Sequence, residues 1–212
     1  MKVLGSAQDG GYPQSGCYEN CCKDAWLDNQ DKRMVASIAL IDPIRKYFWL
    51  IDISPDIKEQ LYFVGSKYTL KGIFLTHAHI GHYIGLLELG KEVMDLKNIP
   101  VYAMPKMNLF LEKNAPINFL IENNNIVTTE IDSQLQINLN KNLYIEPFLV
   151  PHRNELSETV GYKVKSTEKS IIYLPDIDSW DAWKTNIIEL IKENDILFLD
   201  GTFYDKSEIV NR

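Results

Sequence analysis

A chain of 212 residues, 45% of them hydrophobic, is long enough for one sizeable domain with a buried core. Its formal net charge of −7 argues against a broadly basic nucleic-acid-binding face but leaves room for a small anionic substrate held at a metal. No window approaches the length of apolar run that spans a bilayer, and the apolar part of the opening "MKVLGSAQDGG" is too short for a signal-peptide core. The expectation is a cytoplasmic protein with a small-molecule substrate and with neither membrane nor nucleic acid as partner.

In chain order, "KVLG" reads as a first strand. A loop at about 9–24 follows, rich in glycine and holding all three cysteines, Cys17, Cys21 and Cys22. "VASIALI" and "YFWLIDI" continue as a meander that stops at Asp52. Ser54 and Pro55 then predict a helix start, as N-cap and first helical residue. The strand "GIFLT" runs into "HAHIGH", which places three of the four histidines, His77, His79 and His82, within six residues. A helix is expected after His82, a strand at "VYAM", a helix after Pro105 and a loop at Asn123 to Asn125. "LYIEPFLV" leads to His152, "GYKVK" follows, and "SIIYLPD" ends at Asp176. A helix after Trp180, with the amphipathic run "AWKTNIIELIKEN", precedes "DILFLDG", which ends at Asp200. An early meander and later strands alternating with helices predict two sheets with helices packed outside them, in a single domain over 1–212.

Asp52, His77, His152, Asp176 and Asp200 all stand where an apolar strand stops, the place where layered α/β proteins gather functional groups. Zinc takes imidazole nitrogen and carboxylate oxygen from three or four converging ligands. One loop supplies His77 and His79, His82 starts the next helix, and His152 and Asp176 arrive from other strand ends. These form a candidate set for one metal or two; an ordinary polar loop is the plainer reading of any single member. A His-rich, carboxylate-poor site suits zinc, and equally Fe2+ or Mn2+. An odd, clustered set of three cysteines is not a disulfide framework. It is either a structural zinc site lacking a fourth ligand or a group of inert buried thiols. Adjacent Cys21 and Cys22 diverge unless the backbone turns sharply.

"THAHIGH" after an apolar strand resembles the H-x-H-x-D-H signature of the metallo-β-lactamase fold superfamily. The order Asp52, histidine motif, His152, Asp176 extends that resemblance along the chain. It implies an α/β, four-layer αββα sandwich with a metal site at its edge. His77, His79, His152 and Asp176 would form the first metal site. His82 would contribute to the second, with Asp176 bridging, and Asp176 and His82 would serve the chemistry. The opening "GSAQDGGYPQSGC" and the late "FLDGTFYDKSEI" resemble the pyrroloquinoline quinone biosynthesis protein B group. A phosphodiesterase branch, related to tRNase Z and the phosphonate-pathway cyclic phosphodiesterase, is similar as well. The first group implies iron-dependent hydroxylation, the second phosphodiester hydrolysis. In the second, cysteines near the N-terminus imply a remote zinc, although the spacing C-x-x-x-C-C departs from the C-x-C-x-x-C common among family members.

Two departures weigh against a full dinuclear enzyme and leave a non-catalytic metal-binding module as the competing class. Gly81 stands where the signature has its aspartate, so one firmly held metal, or a weak pair, is expected, and Gly81→Asp should improve the second position if the loop tolerates it. No histidine follows His152, where the family has a further βα unit with a late histidine. The expectation is a sandwich lacking that last unit, because the chain is truncated, is a fragment of a longer one, or has the missing part supplied by a partner subunit; a homo-oligomer is a separate expectation.

Overall fold

The computed structural model describes residues 1–203, so the end of the "FLDGTFYDKSEI" motif lies outside the described residues. The chain divides into two compact units, one formed by residues 1–131 with 155–158, the other by 132–154 with the segment from 159 onward.

The first unit is built on a six-stranded sheet in the order β1-β2-β3-β4-β5-β6. These strands are β1 (Lys2–Gly5), β2 (Ser37–Asp42), β3 (Tyr47–Ile51), β4 (Thr69–Phe74), β5 (Ile99–Ala103) and β6 (Ile126–Glu130). β1 to β3 are antiparallel, as the meander predicts, while β3 to β6 run parallel and need crossovers. The crossovers are α2 (Ile57–Val64), a short turn α3 (Ile80–Tyr83) continuing as a 3-10 segment (Ile84–Leu89), and the pair α4 (Pro105–Lys113) and α5 (Ala115–Glu122). Ile57, Val64, Leu86, Leu89, Met107, Leu111, Ile117 and Leu120 from these helices pack with Ala39, Leu50, Ile73 and Val101 of the strands. The alternate residues Ile38, Trp49, Ile51 and Phe74 are buried too, which is why the central strands read as unbroken apolar runs.

The second unit holds a five-stranded sheet in the order β11-β10-β9-β8-β7. β7 (Ile137–Asn140), β8 (Leu143–Leu149), β9 (Val160–Ser166) and β10 (Ser170–Leu174) form an antiparallel meander. α6 (Ile187–Glu193) then returns the chain to β11 (Ile196–Leu199), parallel to β10. Val150, Ile172, Leu174 and Ile177 form its core, with Trp180 and Trp183 against it.

Several expectations are corrected. The helix at "SPD" begins at Ile57 rather than Pro55: Ser54 Oγ accepts the Asp56 amide in a local turn, and its own hydroxyl proton goes to Gln60. The helix after His82 is one turn and a 3-10 segment, because Gly85 sits hard against the preceding loop: a Cβ there would lie 2.3 Å from the Ser54 carbonyl oxygen. The helix after Trp180 is delayed to Ile187, where the Asn186 side chain accepts two backbone amides, and none of its residues is buried. α1 (Asn20–Leu27), β6 and β7 carried too little apolar pattern to be foreseen, and α5, though apolar, begins two residues after α4 ends and was not separated from it.

Candidate metal centre

In the first unit, β3 ends in a left-handed residue: Asp52 has φ 62°, one of the conformations that aspartate tolerates better than most side chains. That turn buries its carboxylate completely. Asp52 Oδ1 accepts the Thr76 amide at 2.8 Å and the Thr76 hydroxyl at 3.0 Å, and Oδ2 lies 2.7 Å from His82 Nδ1. Burial pushes the Asp52 carboxyl above the usual carboxylate range, against the pull of His82 and Thr76. The loop after β4 is fastened from several sides: Ile53 N donates to His82 O, Gly85 N to Ile53 O, and Ala78 N to the buried Ser157 hydroxyl.

His77 and His79 are brought together, with Nε2 of the first 2.9 Å from Nδ1 of the second. Two ligands on one metal, with bonds of about 2.0–2.2 Å, stand about 2.8–3.1 Å apart at a right angle and about 3.3–3.6 Å at the tetrahedral angle, and a direct imidazole hydrogen bond also fits the observed distance. His77 Nδ1 lies 2.9 Å from Thr76 Oγ1. His82 is packed beside His77, ring centroids 4.2 Å apart, but its polar partners are Asp52 on Nδ1 and Asp9, whose Oδ1 is 3.3 Å from Nε2.

In the second unit, His152 and Asp176 are brought together, Nε2 to Oδ2, at 3.6 Å. His152 Nδ1 meets Asp178 Oδ1 at 2.7 Å. Asp200 Oδ2 accepts the Ile177 amide, so this last strand-end carboxylate holds the Asp176 loop in place.

His77, His82 and His152 share a design: an oxygen fixes Nδ1 and leaves Nε2 turned toward another donor. Metal-binding histidines are held in this way, the Nδ1 partner setting tautomer and ring orientation. The donor chemistry of each pair, two imidazoles in the first unit and an imidazole with a carboxylate in the second, suits a divalent transition metal.

The cysteines do not diverge. α1 begins at Asn20, so Cys21 and Cys22 lie in its first turn, and all three Sγ atoms fall within 4.8 Å of one another. Cys17 Sγ is 3.7 Å from Cys21 Sγ, and Cys21 Sγ 4.0 Å from Cys22 Sγ. A tetrahedral zinc with bonds of about 2.3 Å spaces its sulfurs about 3.8 Å apart. As free thiols they share protons unequally: hydrogen bonding to Cys22 lowers Cys17, and Cys21 is pushed up to about 11, chiefly by Cys17.

Thr76, Ser157, Asp178 and Asp9 were missed from sequence. Asp178 had a signal, standing two residues after Asp176 in "PDID"; Asp9 had one in "QDGG", a tight loop around a single carboxylate.

The family model described as "Beta-lactamase superfamily domain" matches residues 48–211, and the chain belongs to that superfamily. Within it, the chain is similar to coenzyme PQQ synthesis protein B. The protein of that name from Xanthomonas axonopodis pv. citri is 26% identical across 98% of this chain and 74% of its own length. A protein named octanoyltransferase from Porphyromonas gingivalis is 28% identical over 96% of this chain, which spans only 39% of that relative. Among solved structures, Zn(2+)-bound PqqB from Methylobacterium extorquens superposes with a TM-score of 0.81 at 23% identity, covering 98% of this chain and 74% of that one, and supports the fold. A diphosphatase of the PhnP family superposes at 0.68 with 25% identity, over 93% and 71%. The fold is thus the mixed α/β metallo-β-lactamase fold, two sheets with helices. No helix among the described residues is long and apolar enough to cross a membrane.

Proposed function

We propose that the protein is a metal-dependent hydrolase of a small phosphoryl substrate that uses a divalent metal, with His77, His79, His152 and Asp176 as the ligands that the family resemblance implies. The observation that supports it most is the fixing of Nδ1 in His77 and His152 by Thr76 and Asp178, which presets Nε2 as the ligand atom. A metal bound there supplies Lewis acidity toward a phosphoryl oxygen and lowers the pKa of its water toward neutrality. Asp176, buried beside His152, would hold or orient a water there, since Gly81 has no side chain to do so. His82, with Nδ1 held by Asp52, is the second imidazole available to the reacting groups. Similarity to a PhnP-family diphosphatase supports the phosphoryl substrate. The cysteines, in this reading, hold a structural zinc apart from the chemistry.

A second reading, a metal-dependent oxidative step like that of a coenzyme PQQ synthesis protein, is favoured by similarity along 98% of the chain. Elemental analysis after purification, with turnover of bis-p-nitrophenyl phosphate, tests both. Zinc or manganese lost in His77→Ala and His152→Ala, together with phosphodiester cleavage, supports the hydrolase. Iron without cleavage supports the second reading. A histidine set that takes up no metal on reconstitution overturns both.

A further inference from the structure

The side chain that Gly81 lacks has its space filled from elsewhere in the chain. A Cβ on residue 81 would lie 2.3 Å from Asp9 Oδ1 and 2.9 Å from Asp9 Cα, so the Asp9 carboxylate occupies the volume that a residue-81 side chain would enter. Gly81 N donates to Asp9 Oδ1 at 3.2 Å, which fixes the carboxylate there. The same oxygen stands 3.3 Å from His82 Nε2, on a ring that is 1% exposed and held at Nδ1 by Asp52. Asp9 is itself 34% exposed, so one side of the pair is open to solvent.

Two accounts of that pair make different demands on distance. A doubly hydrogen-bonded imidazolium between Asp52 and Asp9 needs charge-assisted bonds of about 2.7–2.9 Å on both sides. The Asp52 side has one, at 2.7 Å; the Asp9 side, at 3.3 Å, does not. Two donors sharing a tetrahedral metal with bonds of about 2.0–2.2 Å stand about 3.3–3.6 Å apart, and Asp9 with His82, at 3.3 Å, meets that interval.

We infer that Asp9 and His82 Nε2 form a second cation position, for a divalent transition metal, in which the N-terminal loop supplies the carboxylate that residue 81 cannot. The inference rests on the proposed histidine metal centre and adds to it. Glycine at 81 is then a requirement: any side chain there collides with Asp9. The expected benefit of Gly81→Asp is accordingly withdrawn, because its Cβ would displace the carboxylate already in place. With two protein donors and water completing the shell, this ion binds more weakly than the one at the four-ligand set.

The test is isothermal titration and elemental analysis with Mn2+ and Zn2+ on full-length protein whose cysteine site is already filled. The unaltered protein should take up two ions in two steps of different affinity. Asp9→Asn keeps the size of the side chain and its acceptor for the Gly81 amide, and should lose the weaker step or weaken it at least tenfold, with the tighter step and the melting temperature unchanged. His77→Ala should weaken the tighter step. Asp9→Gly combined with Gly81→Asp should restore the weaker step where Asp9→Gly alone has lost it. Two undiminished steps in Asp9→Asn, or a single step in the unaltered protein, overturn the inference while leaving the histidine centre standing. No uptake at all overturns the histidine centre and the inference with it.

Discussion

Replacing Asp52 separates its structural part from its part in aiming a ligand. The carboxylate is wholly buried and faces three donors: the Thr76 amide, the Thr76 hydroxyl and His82 Nδ1. Asp52→Ala removes every acceptor. The Thr76 hydroxyl can turn to His77 Nδ1, 2.9 Å away, but the Thr76 amide is stranded and His82 Nδ1 keeps only a long approach of 3.4 Å to Thr76 Oγ1. A stranded buried donor costs about 1–3 kcal/mol, and breaking a buried pair costs about 3–5 kcal/mol, so a loss of about 3–5 kcal/mol is expected. Asp52→Asn has the same shape. Its Oδ1 keeps the Thr76 amide and its NH2 donates to His82 Nδ1, so stability falls by only about 1 kcal/mol. The proton then moves to His82 Nε2, which can no longer act as a ligand. Equilibrium urea unfolding of metal-free protein reads the first effect and metal titration the second. An Ala variant within about 1 kcal/mol of the parent, or an Asn variant as unstable as Ala, would refute this account of the pair.

Gly85→Ala should destabilise by about 1–3 kcal/mol in the same assay, since its Cβ meets the Ser54 and Ile53 carbonyl oxygens at 2.3 and 2.8 Å and the backbone must yield. Chelation, and Cys17→Ser, should each lower the melting temperature if zinc bridges the thiols, and an unchanged value in both would mean inert cysteines. Asp178→Ala should weaken metal binding about 10–100-fold, through loss of the His152 Nδ1 partner, with little change in unfolding because Asp178 is half exposed. Asp195 is held down to about 2 by Lys169 first and then by Ser170. Its folded pKa lies below its unfolded one, so its contribution is full above about pH 4 and lost as the pH falls toward 2; Asp195→Asn should lose most of its difference from the parent across that window in an acid-unfolding titration.

Much of this was legible because strands that are buried on both faces leave a plain signature. Each of the nine strand runs read from sequence is a strand, and His77, His152 and Asp176 follow the ends of β4, β8 and β10. β6 and β7 escaped because "IVTTE" and "INLN" are largely polar and only partly buried. α1 escaped because its eight residues bury only Cys22 and Ala25. The histidines were legible as a cluster, but their roles were not. Spacing alone gave His82 the same status as His77, whereas the fold gives it two carboxylates of its own. Asp9 could not be found by spacing at all, since it meets Gly81 across 72 positions of chain.

That separation bears on how the motif should be read. A signature written along one loop treats the aspartate and the histidine after it as neighbours in sequence, yet a metal senses only the positions of donor atoms. Where β1 leads into a loop that returns its carboxylate to the His82 ring, a donor can be supplied from residue 9 as well as from residue 81, provided residue 81 gives up its side chain. The glycine and the "QDGG" loop are therefore one feature. A change at either alone is damaging, and the glycine taken by itself gives a misleading impression of a lost site.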